Sequence, residues 1–394
     1  MHKNIALLYQ IAQKEEVIIL GLMSGTSLDG LDLALCSFSG KGRETKYKVI
    51  KSHTVEYPAD LQSFIREIFA KKEINHERLC LLNAYLGDWY ASTILETLKT
   101  WQTNTTEIDL IASHGQTVYH APKPQHQLEG MPNATLQIGD ADRIAVKTGI
   151  LTFSDFRQKH IAAGGEGAPL AVYGDYHLFS DVAESRILLN LGGISNFTYL
   201  PTIDSSEEVL VSDVGPANTL MDAAIRRYFS PLTFDKGGEI AQKGTVNQAL
   251  LKGLLDNPFF KITLPKTTGP EVFYEEWVQS IQAQTSTQAI QPQDLITTLT
   301  ELTAQSTAEA LLQIPQVDNI YVSGGGAFNA FLLERLQAHL PDSKVQQFSA
   351  LGVPPDAKES LLFAWLAYES LKGGNALKMS SIPAVSLGKL SFPS

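Results

Sequence analysis

The sequence predicts an α/β protein of two lobes with an active cleft between them. Three observations predict it. Glycine-rich turns lie near the start, in the middle and late in the chain. An apolar run of strand length leads into each turn. Helical stretches separate the turns, and 394 residues suit two or three domains.

The first turn spans residues 24–30, Ser-Gly-Thr-Ser-Leu-Asp-Gly. The apolar run 17–23 enters it, and an alternation of Leu31, Leu33 and Leu35 leaves it. This pattern reads as a β-hairpin. A loop that only turns needs two or three small residues, and this one offers more, with Asp29 and Asp32 beside them. Small residues let a phosphate approach the backbone, and hydroxyls add donors. A carboxylate next to a phosphate repels it without a divalent cation between them, so Asp29 suggests Mg²⁺. Read alone, the loop fits a plain surface hairpin equally well.

Composition narrows the classes. The chain is 44% hydrophobic and 19% charged, within the soluble globular range. A formal charge of −11 argues against a nucleic-acid partner, which needs a basic footprint. Cys36 and Cys80 form no metal pattern, and so few cysteines suit a reducing compartment. No apolar run is long enough to span a membrane. Residues 1–16 lack a cleavage site and read as a short helical extension, so the expected location is cytoplasmic.

The remaining elements follow in order. Residues 60–72 read as a helix with Leu61, Phe64, Ile65, Ile68 and Phe69 on one face and Asp60 as N-cap. Residues 77–101 form a longer buried helix. A strand at 108–112 ends in Ser113-His114-Gly115-Gln116-Thr117. Strand ends face the ligand crevice in open α/β sheets, so His114 and Gln116 point at a site, with a capped surface turn as the alternative. Residues 121–133 read as a loop, and 149–154 as a strand running into Asp155-Phe156-Arg157. Gly164, Gly165 and Gly167 suit a hinge or a backbone laid against a ligand.

A second hairpin joins strand 186–191 to strand 197–200 through Gly192-Gly193-Ile194-Ser195-Asn196. Strand 209–212 stops at Asp213, and a helix follows over 219–229. A carboxylate at the end of a buried strand is a candidate general base. Asn218 is better placed than Asp213 to cap the helix. Residues 283–294 read as a polar surface connection and 301–312 as a helix. Strand 319–323 leads to the third turn, Gly324-Gly325-Gly326. A helix then carries Phe328, Phe331, Leu332 and Leu336 on one face. Such a turn admits a nucleotide's base and ribose or its phosphates. The last helix, 359–372, ends at Gly373. No Walker A lysine pattern and no Rossmann fingerprint is present.

Together the three turns resemble those of the superfamily of actin, hexokinase-type sugar kinases and heat-shock chaperone ATPases. Within it the chain resembles the anhydro-N-acetylmuramic acid kinase family. The resemblance rests on GLMSGTSLDGLD (21–32), SHGQTVYH (113–120), LQIGD (136–140), DFR (155–157), AAGGEGAPL (162–170), LNLGGISN (189–196), DVGPANTLMDA (213–223), PKTTGPEVF (265–273) and SGGGAFN (323–329). It implies a two-lobed actin-like ATPase fold of ribonuclease H-like type, with ATP in the cleft. The lobes implied are 1–158 with 360–394, and 159–359. It implies an enzyme that opens the 1,6-anhydro ring of anhydro-N-acetylmuramic acid with water and phosphorylates oxygen-6 from ATP, in cell-wall recycling. ATP and Mg²⁺ are the implied cofactors, and a small anhydro-sugar the partner. A homodimer is the oligomer left open, and no nucleic acid or membrane partner is implied.

By that resemblance Gly25, Thr26, Ser27, Leu28, Asp29, Gly30, Leu31 and Asp32 bind ATP, with Gly192, Gly193, Gly324, Gly325 and Gly326. Asp213 is the catalytic base. His114, Gln116, Arg157, Gln158 and Asn218 contact substrate, and Glu359 helps Asp29 hold Mg²⁺. The chain departs from the family pattern after Arg157. Gln158-Lys159-His160 stands where Arg-Arg-Asp is expected. Glutamine lacks the two-point fork by which arginine grips a carboxylate, and muramic acid carries a lactyl carboxylate. A kinase of levoglucosan or another carboxylate-free anhydro-sugar is therefore the alternative substrate reading. A chaperone-like or actin-like ATPase is the alternative of another class. The chain ends at Ser394, soon after its closing helix, which leaves no expected room for a peptide-binding domain.

Overall fold

A computed structural model of the protein describes residues 2–394 except 169, 270, 315–316 and 374–384. The chain forms two compact units, Met1–Gly174 with Asp356–Ser394, and Asp175–Pro355.

The first unit is built on β1 (Glu16–Ser24), β2 (Gly30–Ser39), β3 (Lys46–Glu56), β4 (Leu110–Ala121), β5 (Ala134–Ile138) and β6 (Leu151–Ser154). β1 is nearly continuous apolar sequence because it is central and covered on both faces. It pairs antiparallel with β2, in register from Glu16↔Ser39 to Met23↔Asp32, and parallel with β4. β3 joins β2 antiparallel, β6 joins β4 parallel, and β5 pairs with the far end of β4. Helix Lys358–Lys372 lies against one face of this sheet. It buries Leu361, Leu362, Phe363, Trp365 and Leu366, so it is apolar nearly all round. Gly21 makes the close approach possible, because a Cβ there would overlap the Ser360 carbonyl. Helices Ala59–Ile68, His76–Thr100 and Ala141–Thr148 contribute to the core of this unit through Leu61, Ile65, Leu86, Tyr90, Ile94 and Ile144.

The second unit repeats the order. β7 (Arg186–Leu191), β8 (Ile194–Leu200) and β9 (Leu210–Pro216) form an antiparallel meander. β10 (Asn319–Ser323) pairs parallel with β7, and β11 (Lys344–Gln347) parallel with β10. Each sheet therefore has three antiparallel strands beside two parallel ones, with the first strand of the unit in the middle. This is the ribonuclease H-like fold, present twice. In the first unit β12 (Lys389–Ser391) extends the edge at β6.

Several expectations are corrected. The lobe boundary is not at 158/159, nor at 359/360. Residues 159–174 belong to the first unit because their segment is pinned there. Arg157 Nη1 donates to the Gly167 carbonyl at 2.7 Å, and Asn133 Nδ2 to the Gly165 carbonyl at 3.0 Å. Asp213 lies inside β9 rather than at its end, because the strand continues to Pro216. The helix expected at 60–72 is Ala59–Ile68, with Pro58 as N-cap and Asp60 in its first turn. The helix expected at 301–312 begins at Pro292, which suits a first helical position. Phe328 is 64% exposed and precedes helix Ala330–His339, so it shares no buried face with Leu332 and Leu336.

Candidate active site

In the first unit, the hairpin β1–β2 presents residues 24–30. Leu28 takes a left-handed conformation (φ 58°) and is nonetheless buried. Its carbonyl accepts from Gln62 Nε2 at 2.7 Å, and the Asp29 carbonyl from the Tyr57 amide at 2.9 Å. Asp29 Oδ1 accepts from Ser27 Oγ at 2.8 Å. Asp32 accepts from Thr54 at 2.6 Å. Burial raises the Asp32 carboxyl above its ordinary range against that hydrogen bond, and the charges of Asp29 and Asp356 add to the rise. Three carboxylates thus share one field, and Asp356 was not singled out from sequence. Among the described residues no group of three or more His, Cys, Asp or Glu is arranged to hold a metal. A hard cation that takes one or two carboxylates and completes its shell with phosphate and water needs no such group. The oxygen donors of Asp29 and Asp32 fit it.

β4 carries His114 and Gln116 inside its length rather than in a turn beyond it. His114 is 2% exposed, and its Nε2 accepts from Arg157 Nε at 3.0 Å. Burial first, then the Arg157 charge, push its imidazole down to about 3. His114 is therefore a neutral acceptor that orients Arg157. Among the described residues the bonded acceptors of the Arg157 guanidinium are His114 and the Gly167 carbonyl, and both are neutral. Burial lowers its basicity, and the charge of Glu359, in the first turn of helix Lys358–Lys372, offsets part of that. Gln158 Nε2 donates to the Thr135 carbonyl at 2.7 Å. His160 Nδ1 accepts from the Gly167 amide at 2.9 Å, so this departure from the family pattern braces the glycine segment.

Gln116 turns its amide toward the body of the first unit. Its Nε2 donates to the Gly25 and Thr117 carbonyls at 3.0 and 3.1 Å. Its Oε1 accepts from Ser24 Oγ at 2.5 Å and lies 3.3 Å from Tyr57 Oη, whose one proton goes to Ser24. Both N–H groups and one lone pair of the amide are thus engaged inside the unit, and the side chain is fully buried.

In the second unit, two of the glycine turns meet. Gly192 and Gly193 form the tip between β7 and β8. Their carbonyls accept from the amides of Asn218 (2.9 Å) and Ala217 (3.0 Å), at the start of helix Asn218–Tyr228. Asn218 does not cap that helix; its Nδ2 donates to the Leu191 carbonyl at 2.9 Å. Gly324 (φ 78°) follows β10, and a Cβ there would stand 2.6 Å from Asn190 Oδ1 and 2.8 Å from the Leu191 carbonyl. At Gly326 it would stand 2.6 Å from Leu191 Cβ. Glycine is thus what lets the third turn lie on the end of β7.

Asp213 sits in the same unit beside a bulge, where the β8–β9 register shifts between Asn196↔Asp213 and Ser195↔Gly215. Bulges re-aim side chains, and they concentrate next to active sites. The Thr268 amide donates to Oδ2 at 2.9 Å, and Oδ1 has no partner among the described residues. Partial burial raises the Asp213 carboxyl above its ordinary range, and the Thr268 bond offsets some of it. The Thr268 hydroxyl is buried without a partner among the described residues. A carboxylate with one restrained oxygen, one unengaged oxygen and a raised proton affinity can act as a general base.

Known proteins match this chain over its length. The family model described as anhydro-N-acetylmuramic acid kinase matches residues 17–388. A curated protein of that name from Pseudoalteromonas translucida is 49% identical over 399 residues, covering 100% of both chains. One from Pseudoalteromonas atlantica is 46% identical, again over 100% of both. One from Caldanaerobacter subterraneus is 39% identical, covering 93% of this chain and 94% of its own. Family match, full-length relatives and the doubled ribonuclease H-like topology agree: the chain belongs to the anhydro-N-acetylmuramic acid kinase family.

Proposed function

We propose that this protein is an ATP-dependent kinase of 1,6-anhydro-N-acetylmuramic acid that yields N-acetylmuramic acid 6-phosphate. Asp213 carries the reading. As base it takes a proton from a water whose oxygen bonds to the anomeric carbon. The bond from that carbon to oxygen-6 breaks. Oxygen-6 then bonds to the γ-phosphorus of ATP, and ADP leaves. Thr268 holds one Asp213 oxygen still, so the other is oriented toward water at no cost in rotamer freedom. Mg²⁺, when bound, neutralises charge on the phosphates, with Asp29 and Asp32 as the donors suited to it.

Arg157 supports a carboxylate-bearing sugar. It is a half-buried guanidinium whose bonded acceptors among the described residues are neutral; the Glu359 charge acts on it without a bond among those contacts, and a ligand carboxylate would supply a bonded anion. Gln158 Nε2 and His160 Nδ1 bond the backbone, and recognition of the lactyl carboxylate is assigned to Arg157. The test is turnover of 1,6-anhydro-N-acetylmuramic acid against 1,6-anhydro-N-acetylglucosamine and levoglucosan, which lack the lactyl group. The expected order of kcat/KM places the muramic acid first by at least about tenfold, and Arg157→Gln should erase that preference. Faster turnover of levoglucosan overturns the substrate assignment.

A further inference from the structure

Under the first turn lies a buried chain of hydroxyls that ends on one loop carbonyl. Tyr90 Oη is 3.0 Å from Tyr57 Oη, and Tyr57 Oη is 2.5 Å from Ser24 Oγ. Ser24 Oγ donates to Gln116 Oε1. Gln116 Nε2 then donates to the Gly25 carbonyl. Gln116 is 0% exposed, and Ser24, Tyr57 and Tyr90 are buried as well. The direction of the chain is fixed by its far end. Turning the Gln116 amide over would set its oxygen against two carbonyls, Gly25 and Thr117. Its nitrogen must therefore face them and its oxygen must face Ser24. Ser24 then spends its proton on Gln116, Tyr57 spends its own on Ser24, and Tyr90 donates to Tyr57. Each hydroxyl gives one proton to the next, an arrangement in which successive bonds polarise one another.

The effect falls on the turn's acceptors. The carbonyls of Gly25, Leu28 and Asp29 all bond inward, to Gln116, Gln62 and the Tyr57 amide. The amides of Thr26 and Ser27 donate to nothing among the described residues. A turn whose carbonyls face its own body and whose amides face out is shaped for an anion. We infer that Tyr90, Tyr57, Ser24 and Gln116 are positioning residues. They hold the Gly25 carbonyl of the first turn away from the nucleotide phosphates, so that nucleotide affinity, and not sugar affinity, depends on them. This rests on the reading that the first turn holds those phosphates.

The test uses full-length wild type, Gln116→Met and Tyr57→Phe. Each is titrated calorimetrically with MgADP and assayed for KM of ATP and of 1,6-anhydro-N-acetylmuramic acid. Gln116→Met keeps the volume and removes the amide's hydrogen bonds; its Kd for MgADP should rise at least tenfold. Tyr57→Phe keeps the ring and removes one donor; a rise of about threefold is expected. The sugar KM should stay within twofold in both. If Gln116→Met does not fold, Tyr57→Phe decides alone. Folded variants that bind MgADP as wild type does overturn the inference, even if their Tm has fallen. So does a rise in sugar KM at unchanged nucleotide affinity. Wild type that fails to bind MgADP overturns the nucleotide reading itself, which separates the two failures.

Discussion

The two hairpin tips, residues 24–30 in the first unit and Gly192–Gly193 in the second, meet one requirement by different means. A turn offered to an anion must keep its own carbonyls turned away from it. In the second unit the backbone does this, because amides at the start of helix Asn218–Tyr228 bond the carbonyls of Gly192 and Gly193. In the first unit side chains do much of it, through Gln116 and Gln62. Side chains can be replaced one at a time, whereas backbone amides cannot. The first turn is therefore where single substitutions can tune the protein, and the second is where they act only through the fold.

The largest expected effect tests a division of labour between the units. Asp213→Asn keeps shape but cannot accept a proton, and turnover should fall by ~10²–10⁴. MgADP affinity should not change, because the first turn is untouched. Loss of nucleotide binding in this variant would erase the division. The wild-type pH profile sharpens it. A base works only when ionised, and burial raises the Asp213 carboxyl. The acidic limb of kcat should therefore lie above the value near 3.8 of an ordinary aspartate, and Asp213→Asn should lack that limb.

A middle-sized effect compares a glycine of the first turn with one of the third turn, which lies on the end of β7. Gly324→Ala forces a side chain into left-handed backbone and against Asn190, and denaturant titration should show a loss of about 1–3 kcal/mol. Gly25→Ala meets only Ser27, at 3.4 Å from its Oγ and 3.9 Å from its nitrogen, and should cost no more than about 0.5 kcal/mol. Its penalty should appear in MgADP affinity instead. Equal stability losses would mean that both glycines serve packing.

The smallest effect belongs to His114. Its folded-state affinity for protons is depressed, from 6.5 to about 3. Below pH 6.5 the unfolded chain takes up a proton that the folded chain refuses, so stability falls as pH falls through that window. The slope from this group is at most about 1.4 kcal/mol per pH unit. Unfolding free energies at pH 6.5 and 4.5 should differ less in His114→Gln than in wild type. An unchanged difference would show that the imidazole does not remain neutral.

Much of this was legible in the chain. Apolar runs ending in glycine mark β1, β7 and β10, because central strands must be apolar on both faces and turns against ligands must be small. β3 was not legible. Its sequence, KYKVIKSHTVE, is an edge strand with lysines and polar residues, which protect an edge but hide its period. The first three turns of helix Pro292–Leu311 were also hidden. Thr297, Thr298 and Thr300 look like loop residues, yet their hydroxyls bond the carbonyls of Gln293, Asp294 and Ile296 one turn back. For the candidate site, residue type and order were enough to single out Asp213 and the glycine turns as candidates. That Gln116 serves the loop was not legible, since its partners Ser24 and Gly25 are distant in sequence. Thr268 and Asp356 were missed for the same reason.

The close approach at Gly21 has a consequence for synthesis. The helix that seats on it, Lys358–Lys372, is made long after β1, β2 and β4. The second unit is continuous, and all of its strands have been made before that helix appears. At about 5–20 residues per second, the first sheet waits on the order of ten seconds or more with an apolar face uncovered. That interval is when a nascent chain is open to chaperones and to aggregation. A circular permutant that opens near residue 355 and joins the natural ends would make the helix first and close the interval.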